Sequence, residues 1–362
     1  MISLFPETAV QTAAQPEPAP SGAAAVVPST EAQLAALLNG AGAAPLDDIG
    51  WLRVTGSDRI RWLNGMVTNS IQDLKPGHGC YNFVLNAQGR IQADLTAFPL
   101  ADSILLEADR DQIEKLIAHL DHFIIMDDVE LADIGNERAG VVLAGPEAAA
   151  LLDGIGIDPG IHSAPQMQTA SWKTWAIETI RAYGPLVPRF ELWGDPVAIA
   201  ALAAALTEAG ATPVSPEALE QLRILEGKPR YGTDIRNTET TRDLPQETGQ
   251  TRALHFSKGC YLGQEIVERI RSRGNVHRTF SGFELHGALP AAGAILQSDG
   301  KPVGELTSVA AIPVPDNLRP PGAPRTLQFA LGYIRREALD RGLPIEYPGG
   351  IARPAALPYG LA

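Results

Sequence analysis

What most constrains this chain is a change of rhythm along it. From Trp51 to Gly227 strand-like and helix-like segments alternate; beyond Val276 they give way to short strand-like runs punctuated by Gly and Pro. The alternating part lacks the long, evenly spaced strand–helix–strand units of a doubly wound parallel sheet. The terminal part has the spacing of a small β-barrel. These patterns predict an α+β protein ending in a β domain. At 362 residues, roughly three-quarters of the unfolded chain's surface is buried on folding, enough for two or three domains.

Individual elements follow from periodicity. Trp51 to Val54 reads as a strand, and Gly56-Ser57-Asp58 starts a helix with Ile60, Leu63 and Val67 on one face. Cys80–Leu85 and Arg90–Leu100 read as strands joined by the turn Asn86-Ala-Gln-Gly89. Asp109 to His122 carries Ile113, Leu116, Ile117 and Leu120 at helical spacing and is predicted as one amphipathic helix. Val141–Leu143 and Phe190–Trp193 are predicted strands, and Pro146–Leu152 and Pro216–Glu226 predicted helices, the last stopped by Gly227. Residues 1–45 hold thirteen Ala and six Pro, with no Lys or Arg before Arg53. That composition suits neither a secretory signal nor a mitochondrial presequence, and predicts a disordered tail over Gln11–Pro28. A short helix follows, with Thr30 and Gln33 at capping-box spacing and Gly40 as its stop.

Charge and cysteine content exclude several functions. A formal charge of −13 argues against a broad phosphate-binding face and stable nucleic-acid binding. No apolar run approaches the roughly 18–20 residues of a membrane helix. Two cysteines, Cys80 and Cys260, cannot form a disulfide framework or complete a four-thiolate metal site, so no metal is assigned and a reducing cytoplasm is expected. The charge is uneven: Arg223 to Arg278 contains eleven Lys/Arg against seven Asp/Glu. A basic stretch in an acidic protein can focus an anion, or can pair internally on helix faces.

The densest chemistry lies in that stretch, in Lys258-Gly-Cys-Tyr-Leu-Gly-Gln-Glu265. A helix starting near Leu262 and ending at Gly274 would leave Cys260 just ahead of its N-terminus, with Lys258 two residues away. Both influences favour a thiolate, the form that acts as nucleophile or metal ligand. Gly259 and Gly263 permit close backbone approach to a ligand. A small residue buried at a tight turn is the alternative for Cys260.

The octet resembles the signature of the YgfZ family of folate-binding proteins, which belongs with the glycine cleavage T-protein, a tetrahydrofolate-dependent aminomethyltransferase. The resemblance extends through Val54-Thr-Gly-Ser-Asp58, Trp62-Leu63, Thr68-Asn69, Asn86-Ala-Gln-Gly-Arg-Ile91, Asp94-Leu95, Gly227-Lys-Pro-Arg-Tyr-Gly232 and Val303-Gly-Glu-Leu-Thr-Ser308, roughly residues 47–340. It implies a three-domain cloverleaf around a central folate channel. By position, 1–45 would be the tail, 46–275 two interleaved α+β domains and 276–362 the barrel. It implies a tetrahydrofolate or related cofactor, held by Tyr81, Asp94, Glu226, Tyr231 and Arg278. Cys260, Lys258 and Asp94 would do the chemistry; Gly259, Tyr261, Gly263, Gln264 and Glu265 would shape the motif.

Departures from the T-protein pattern discriminate within that superfamily. Its paired aspartates become Ala93-Asp94, and its Arg-x-x-Tyr-Thr-Gly-Glu becomes Arg181-Ala-Tyr-Gly-Pro-Leu186 without the acid. Its Leu-Glu-Ala-Gly becomes Ile224-Leu-Glu-Gly227, which rotates Glu226 by about 100° of helix. T-proteins resemble the octet only as Lys-x-x-[Phe/Tyr]-x-Gly, without the cysteine. The resemblance thus favours a YgfZ-type accessory factor that supports iron–sulfur cluster assembly or repair and, through it, tRNA modification. Its partners would be iron–sulfur assembly factors or client enzymes. A tetrahydrofolate-dependent aminomethyl- or methyltransferase is the enzymatic alternative, and a folate-sensing or tRNA-interaction module the non-catalytic one.

Overall fold

A computed structural model describes residues 28–361 except 161, 162, 239, 240, 242 and 275, with the side chain of residue 273 also outside the description. The tail expected over 11–28 falls almost wholly outside the described residues. The first element, α1 (Thr30–Asn39), is not an appendage: Leu37 packs into the main core and Leu34 against the barrel. Its cap is Ser29, whose hydroxyl accepts from the Ala32 amide, rather than a Thr30–Gln33 box. Gln33 instead ties the helix to the distant backbone of Ser215.

Two antiparallel-rich sheets are interleaved in the sequence. β1 (Gly42–Pro45) enters one sheet and β2 (Ile49–Thr55), after a three-residue connection, the other. After α2 (Arg59–Met66), β3 (Cys80–Leu85), β4 (Ile91–Pro99) and β5 (Ile104–Asp109) extend the second sheet, and α3 (Ile113–Asp121) covers it. β6 (Glu130–Asp133) completes its order β3-β4-β5-β2-β6. β7 (Ala139–Ala144), α4 (Ala148–Gly154), β8 (Gln166–Trp172), β9 (Trp175–Ala182), β10 (Arg189–Gly194), α5 (Pro196–Glu208) and β11 (Thr212–Pro213) finish the first sheet, ordered β11-β1-β7-β10-β9-β8. The β3–β4 hairpin turns at Gly89, whose φ of 69° needs glycine.

Strand alternation decides the layering. On β2, Leu52 and Val54 point to α2 and α3, while Trp51 points to the other sheet. On β7, Val141 and Leu143 face α4 and α5, while Val142 and Ala144 face inward. The sheets therefore pack face to face, outer faces covered by helices. Trp51 and Trp193 meet edge-on at 5.3 Å in this interface, with the Arg138 guanidinium 4.4 Å from the Trp51 ring.

One prediction fails instructively. Residues 109–122 are not a single helix: β5 runs to Asp109, a single tight turn spans 110–112, and α3 begins at Ile113. Pairing of Asp109 with Ile49 keeps the strand going where local pattern reads helix. The predicted helix 146–152 likewise begins later, at Ala148. α6 (Pro216–Glu226) has its predicted bounds, with Ser215 as N-cap and Gly227 at φ 66° closing it. α7 (Gln264–Arg273) follows a long irregular segment.

The C-terminal part is a closed six-stranded barrel. β12 (Arg278–Gly287), β13 (Ile295–Ser298), β14 (Lys301–Pro313), β15 (Thr326–Arg335), β16 (Ile345–Tyr347) and β17 (Gly350–Ala355) close in the order β12-β15-β14-β13-β16-β17, with α8 (Arg336–Asp340) inserted. The small β-barrel is as expected, although three of its strands are ten residues or longer, beyond the short runs read from the sequence. The Thr307-Ser308 pair is a structural latch: both hydroxyls donate to buried Asp234, which also accepts from Arg223 of α6.

Candidate functional site

The inter-sheet interface changes character along its length. Phe98 and Leu105 are apolar, but two and four residues further along the same strand faces stand Thr96 and Asp94 on β4, and Glu107 and Asp109 on β5. Burying such groups against a second sheet is unfavourable unless they are paired. The sheets part here around a cavity of about 220 Å³. Its walls come from β3–β5, the end of β9, β10, the inner face of α6, and the segments at 228–231 and 252.

Four of the five residues expected to hold a cofactor line this cavity: Tyr81, Asp94, Glu226 and Tyr231. Tyr81 Oη donates to Asp94 Oδ2 at 2.6 Å, and Gln112 Nε2 donates to Asp94 Oδ1 at 3.2 Å. Burial raises the Asp94 carboxyl, and these two donors oppose the rise. Burial, then Asp94, pushes the Tyr231 phenol up to about 12. Glu226 is 6% exposed and its Oε1 has no hydrogen-bond partner; its Oε2 lies 3.6 Å from Lys228 Nζ. Burial brings that lysine down to about 8, so it remains charged at neutral pH beside the Tyr183 carbonyl it donates to.

Arg278 is not in the cavity. Its guanidinium donates to Asp243 and Glu247 and lies over the Tyr333 ring, binding the barrel to the preceding segment. A cation paired twice is a poor receptor for a further anion. Other members of the basic stretch are similarly paired: Arg223 with Glu220 and Asp234, Arg236 with Glu305, Arg271 with Glu268. Only part of that stretch reaches the cavity, through Arg223, Lys228, Arg230 and Arg252.

Several cavity residues are absent from the sequence-based assignment. Arg252 lies between two rings, 3.9 Å from the centroids of both Tyr81 and Tyr183. It makes no ion pair among the described residues, and only Nε donates, to Gln250. Glu191 accepts from Arg189 Nε at 2.9 Å, while its Oε2 faces no donor unless the adjoining Glu107 carries a proton. Burial and the Glu191 charge do push Glu107 well above the usual carboxylate range. The signal for this pair was a charged residue inside the apolar strand Phe190-Glu-Leu-Trp193. For Glu107 and Asp109 it was period-two spacing with Leu105.

The octet forms a separate feature. Lys258 Nζ donates to the carbonyls of Asn64, Val67 and Asn69 at 2.6–2.7 Å, closing the turn after α2. Burial pulls its pKa to about 8, and the other ionisable group it senses is Cys80 rather than Cys260. Cys80 is buried, with its thiol pushed up to about 11. Tyr261 is buried with Phe83, Leu85 and Val267, and Tyr81 and Tyr231 pack against the same cluster. The helix begins at Gln264 rather than Leu262, because Gly263 adopts φ 81° against the Asn86 carbonyl, where a Cβ would come to 2.6 Å. Gln264 Oε1 accepts from the Tyr261 amide. Gly259, Cys260 and Glu265 are exposed, and Gly259 has open space around it. Among the described residues no group of three or more His, Cys, Asp or Glu could hold a metal ion.

A family model for the GCVT N-terminal domain matches residues 7–258, well over half the chain. The chain belongs to this family. Its T-protein superfamily relatives include a putative chloroplastic transferase of Arabidopsis thaliana, 26% identical over 307 residues, covering 84% of this chain and 67% of that one. An aminomethyltransferase of Thermus thermophilus is 28% identical over 272 residues, 74% of each chain. The crystal structure of glycine cleavage system aminomethyltransferase T from Bartonella henselae superposes with a TM-score of 0.78 at 22% identity, covering 91% of this chain and 89% of that one. The fold is thus the α+β T-protein fold.

Proposed function

We propose that this T-protein superfamily member is a tetrahydrofolate-binding accessory protein of the YgfZ type, cytoplasmic, which supports iron–sulfur cluster assembly or repair and thereby cluster-dependent tRNA modification. The observation that carries the folate part is Glu226: a deeply buried carboxylate with an unpartnered oxygen, turned to a cavity that also presents Asp94, Tyr81 and Tyr231. A pterin offers a flat ring with amino and ring N–H groups, and such carboxylates and aromatic faces suit it. Arg252 and Arg230 suit the carboxylates of its glutamate tail. The rotation of Glu226 expected from its one-residue offset therefore leaves it on the cavity side of α6. When bound, the folate would supply one-carbon or redox chemistry; the chain's own groups bind and orient it.

The YgfZ part is supported by the octet. Cys260 is an exposed thiol in a segment held by Lys258, Tyr261, Gly263 and Gln264, so it is a group free to meet another protein. With one motif cysteine the chain requires a partner or small thiol to complete any cluster contact.

Calorimetric titration of tetrahydrofolate under anaerobic conditions tests the first part: binding to wild type that weakens at least tenfold in Tyr231→Ala is expected, and no binding to wild type would remove the folate reading. Complementation tests the second: Cys260→Ser should fail to rescue a strain lacking the homologue, and full rescue would sink the cysteine-centred role. Aminomethyl transfer is the competing reading, favoured by the acids that line the cavity beyond Asp94. Turnover of methylenetetrahydrofolate with an aminomethyl-lipoyl carrier would select it.

A further inference from the structure

One of those acids has a defined partner. The β4–β5 ladder ends at Thr96 and Glu107; two residues beyond on each strand stand Asp94 and Asp109, both lining the cavity, with the Asp94 charge acting on Asp109. The two carboxyls are not equivalent. Asp94 has a donor for each oxygen, Tyr81 and Gln112. The Asp109 carboxyl receives no hydrogen bond among the described residues. Two neighbouring carboxyls in one cavity, withdrawn from bulk water, resist ionising together, and the one with donors keeps the charge.

The surroundings of Asp109 point the same way. Asp48 approaches from the β1–β2 connection, Asp111 from the turn before α3 and Tyr81 from β3; Arg230, after α6, is the nearby cation. Arg252 acts on the Asp94 member. Burial and the Asp94 charge push Asp109 up to about 7 against the pull of Arg230. Independently, Glu226, its side chain 3% exposed and one oxygen unpartnered, marks the same cavity as built for a ligand.

We propose that Asp109 is the proton-carrying member of an Asp94–Asp109 dyad and donates that proton, in a hydrogen bond, to a nitrogen lone pair of the heterocycle bound in the cavity. Where transfer goes to completion, the proton leaves Asp109 Oδ for the ligand nitrogen, Asp109 becomes a carboxylate and the ligand gains one positive charge. Water restores the proton after release. Ala93, where the resemblance expects another acid, packs toward α2 and α3 rather than toward the cavity, so the second carboxyl of the dyad comes from the neighbouring strand. The identity of the ligand rests on the folate reading; the existence of the dyad does not.

Two measurements separate these. In anaerobic calorimetry with tetrahydrofolate between about pH 6 and 9, wild-type affinity should fall by up to tenfold per unit once Asp109 ionises. Asp109→Asn retains a donor at every pH and should lose the fall centred near 7, keeping only the change that accompanies loss of the Lys228 charge near 8. Asp94→Asn removes the neighbouring charge and should move the fall to lower pH. A wild-type profile in Asp109→Asn would overturn the proposal. Carboxyl-carbon NMR of the unliganded protein supplies the second readout: one aspartate should titrate near 7 and be missing from Asp109→Asn. That resonance without any tetrahydrofolate binding would reject the folate reading and keep the dyad. Its absence would reject the dyad whether or not folate binds.

Discussion

The octet and the cavity treat polar groups in opposite ways. In the octet, polar groups close local structure: Lys258 satisfies three carbonyls, and Gln264 meets the Tyr261 amide. In the cavity, polar groups are buried yet incompletely paired, as with Glu226 Oε1 and the Arg252 guanidinium. The contiguous motif is chiefly a fastening that holds one exposed thiol in place. On the function proposed above the scattered residues are the ones that meet the ligand, because an unpaired buried group is costly until something binds it.

If this contrast is right, substitutions should sort by what they damage. The largest loss of stability should come from Lys258→Met, which strips three acceptors of a charged donor. A cost of about 3–5 kcal/mol in urea unfolding is expected, with tetrahydrofolate affinity changed little in the protein that remains folded. A cost below about 1 kcal/mol would mean that water replaces the ammonium.

In the cavity, Glu226→Gln should do the reverse. Tetrahydrofolate affinity should fall at least tenfold by calorimetry, while unfolding free energy stays within about 1 kcal/mol of wild type. A stability loss with unchanged affinity would assign Glu226 to the fastenings.

Asp109→Asn should reveal the tension stored in the unliganded cavity. The folded protein holds the Asp109 proton up to about 7, far above the usual 3.8, so its contribution to stability is complete below 3.8 and is lost as pH rises through 7. The variant should therefore be more stable than wild type by about 1–3 kcal/mol near pH 8, and the difference should vanish near pH 4. Thermal or urea unfolding at the two pH values checks it.

Cys260→Ser should have the smallest effect of all on the isolated protein. Its exposure predicts a stability change within about 0.5 kcal/mol and unaltered tetrahydrofolate affinity. A large effect on either would tie the thiol to the fold or the cavity rather than to a partner.

Much of this was readable in the chain, but unevenly. α6 is given by Ser215, Pro216 and Gly227 together, since cap, first turn and stop are all local signals. The hairpin turn at Asn86–Gly89 is equally local. Asp109 shows where locality fails. Its neighbours have helical spacing, yet pairing with Ile49, sixty residues earlier in the chain, holds it in a strand and turns it toward the cavity. Arg278 shows the complementary failure: a conspicuous arginine near the motif is claimed by Asp243 and Glu247. Arg252 carries no local mark, and becomes notable only when Tyr81 of β3 and Tyr183, just after β9, close on it.

Sequence alone therefore determined the class of fold, the terminal barrel and the superfamily, because periodicity, caps and contiguous motifs are properties of neighbouring residues. Which groups are left unpaired and face one another was decided only by the tertiary structure. Strand register and sheet packing join residues 46 to 252 around one cavity, and burial, not proximity in the chain, sets whether a carboxyl there is an anion or holds a proton.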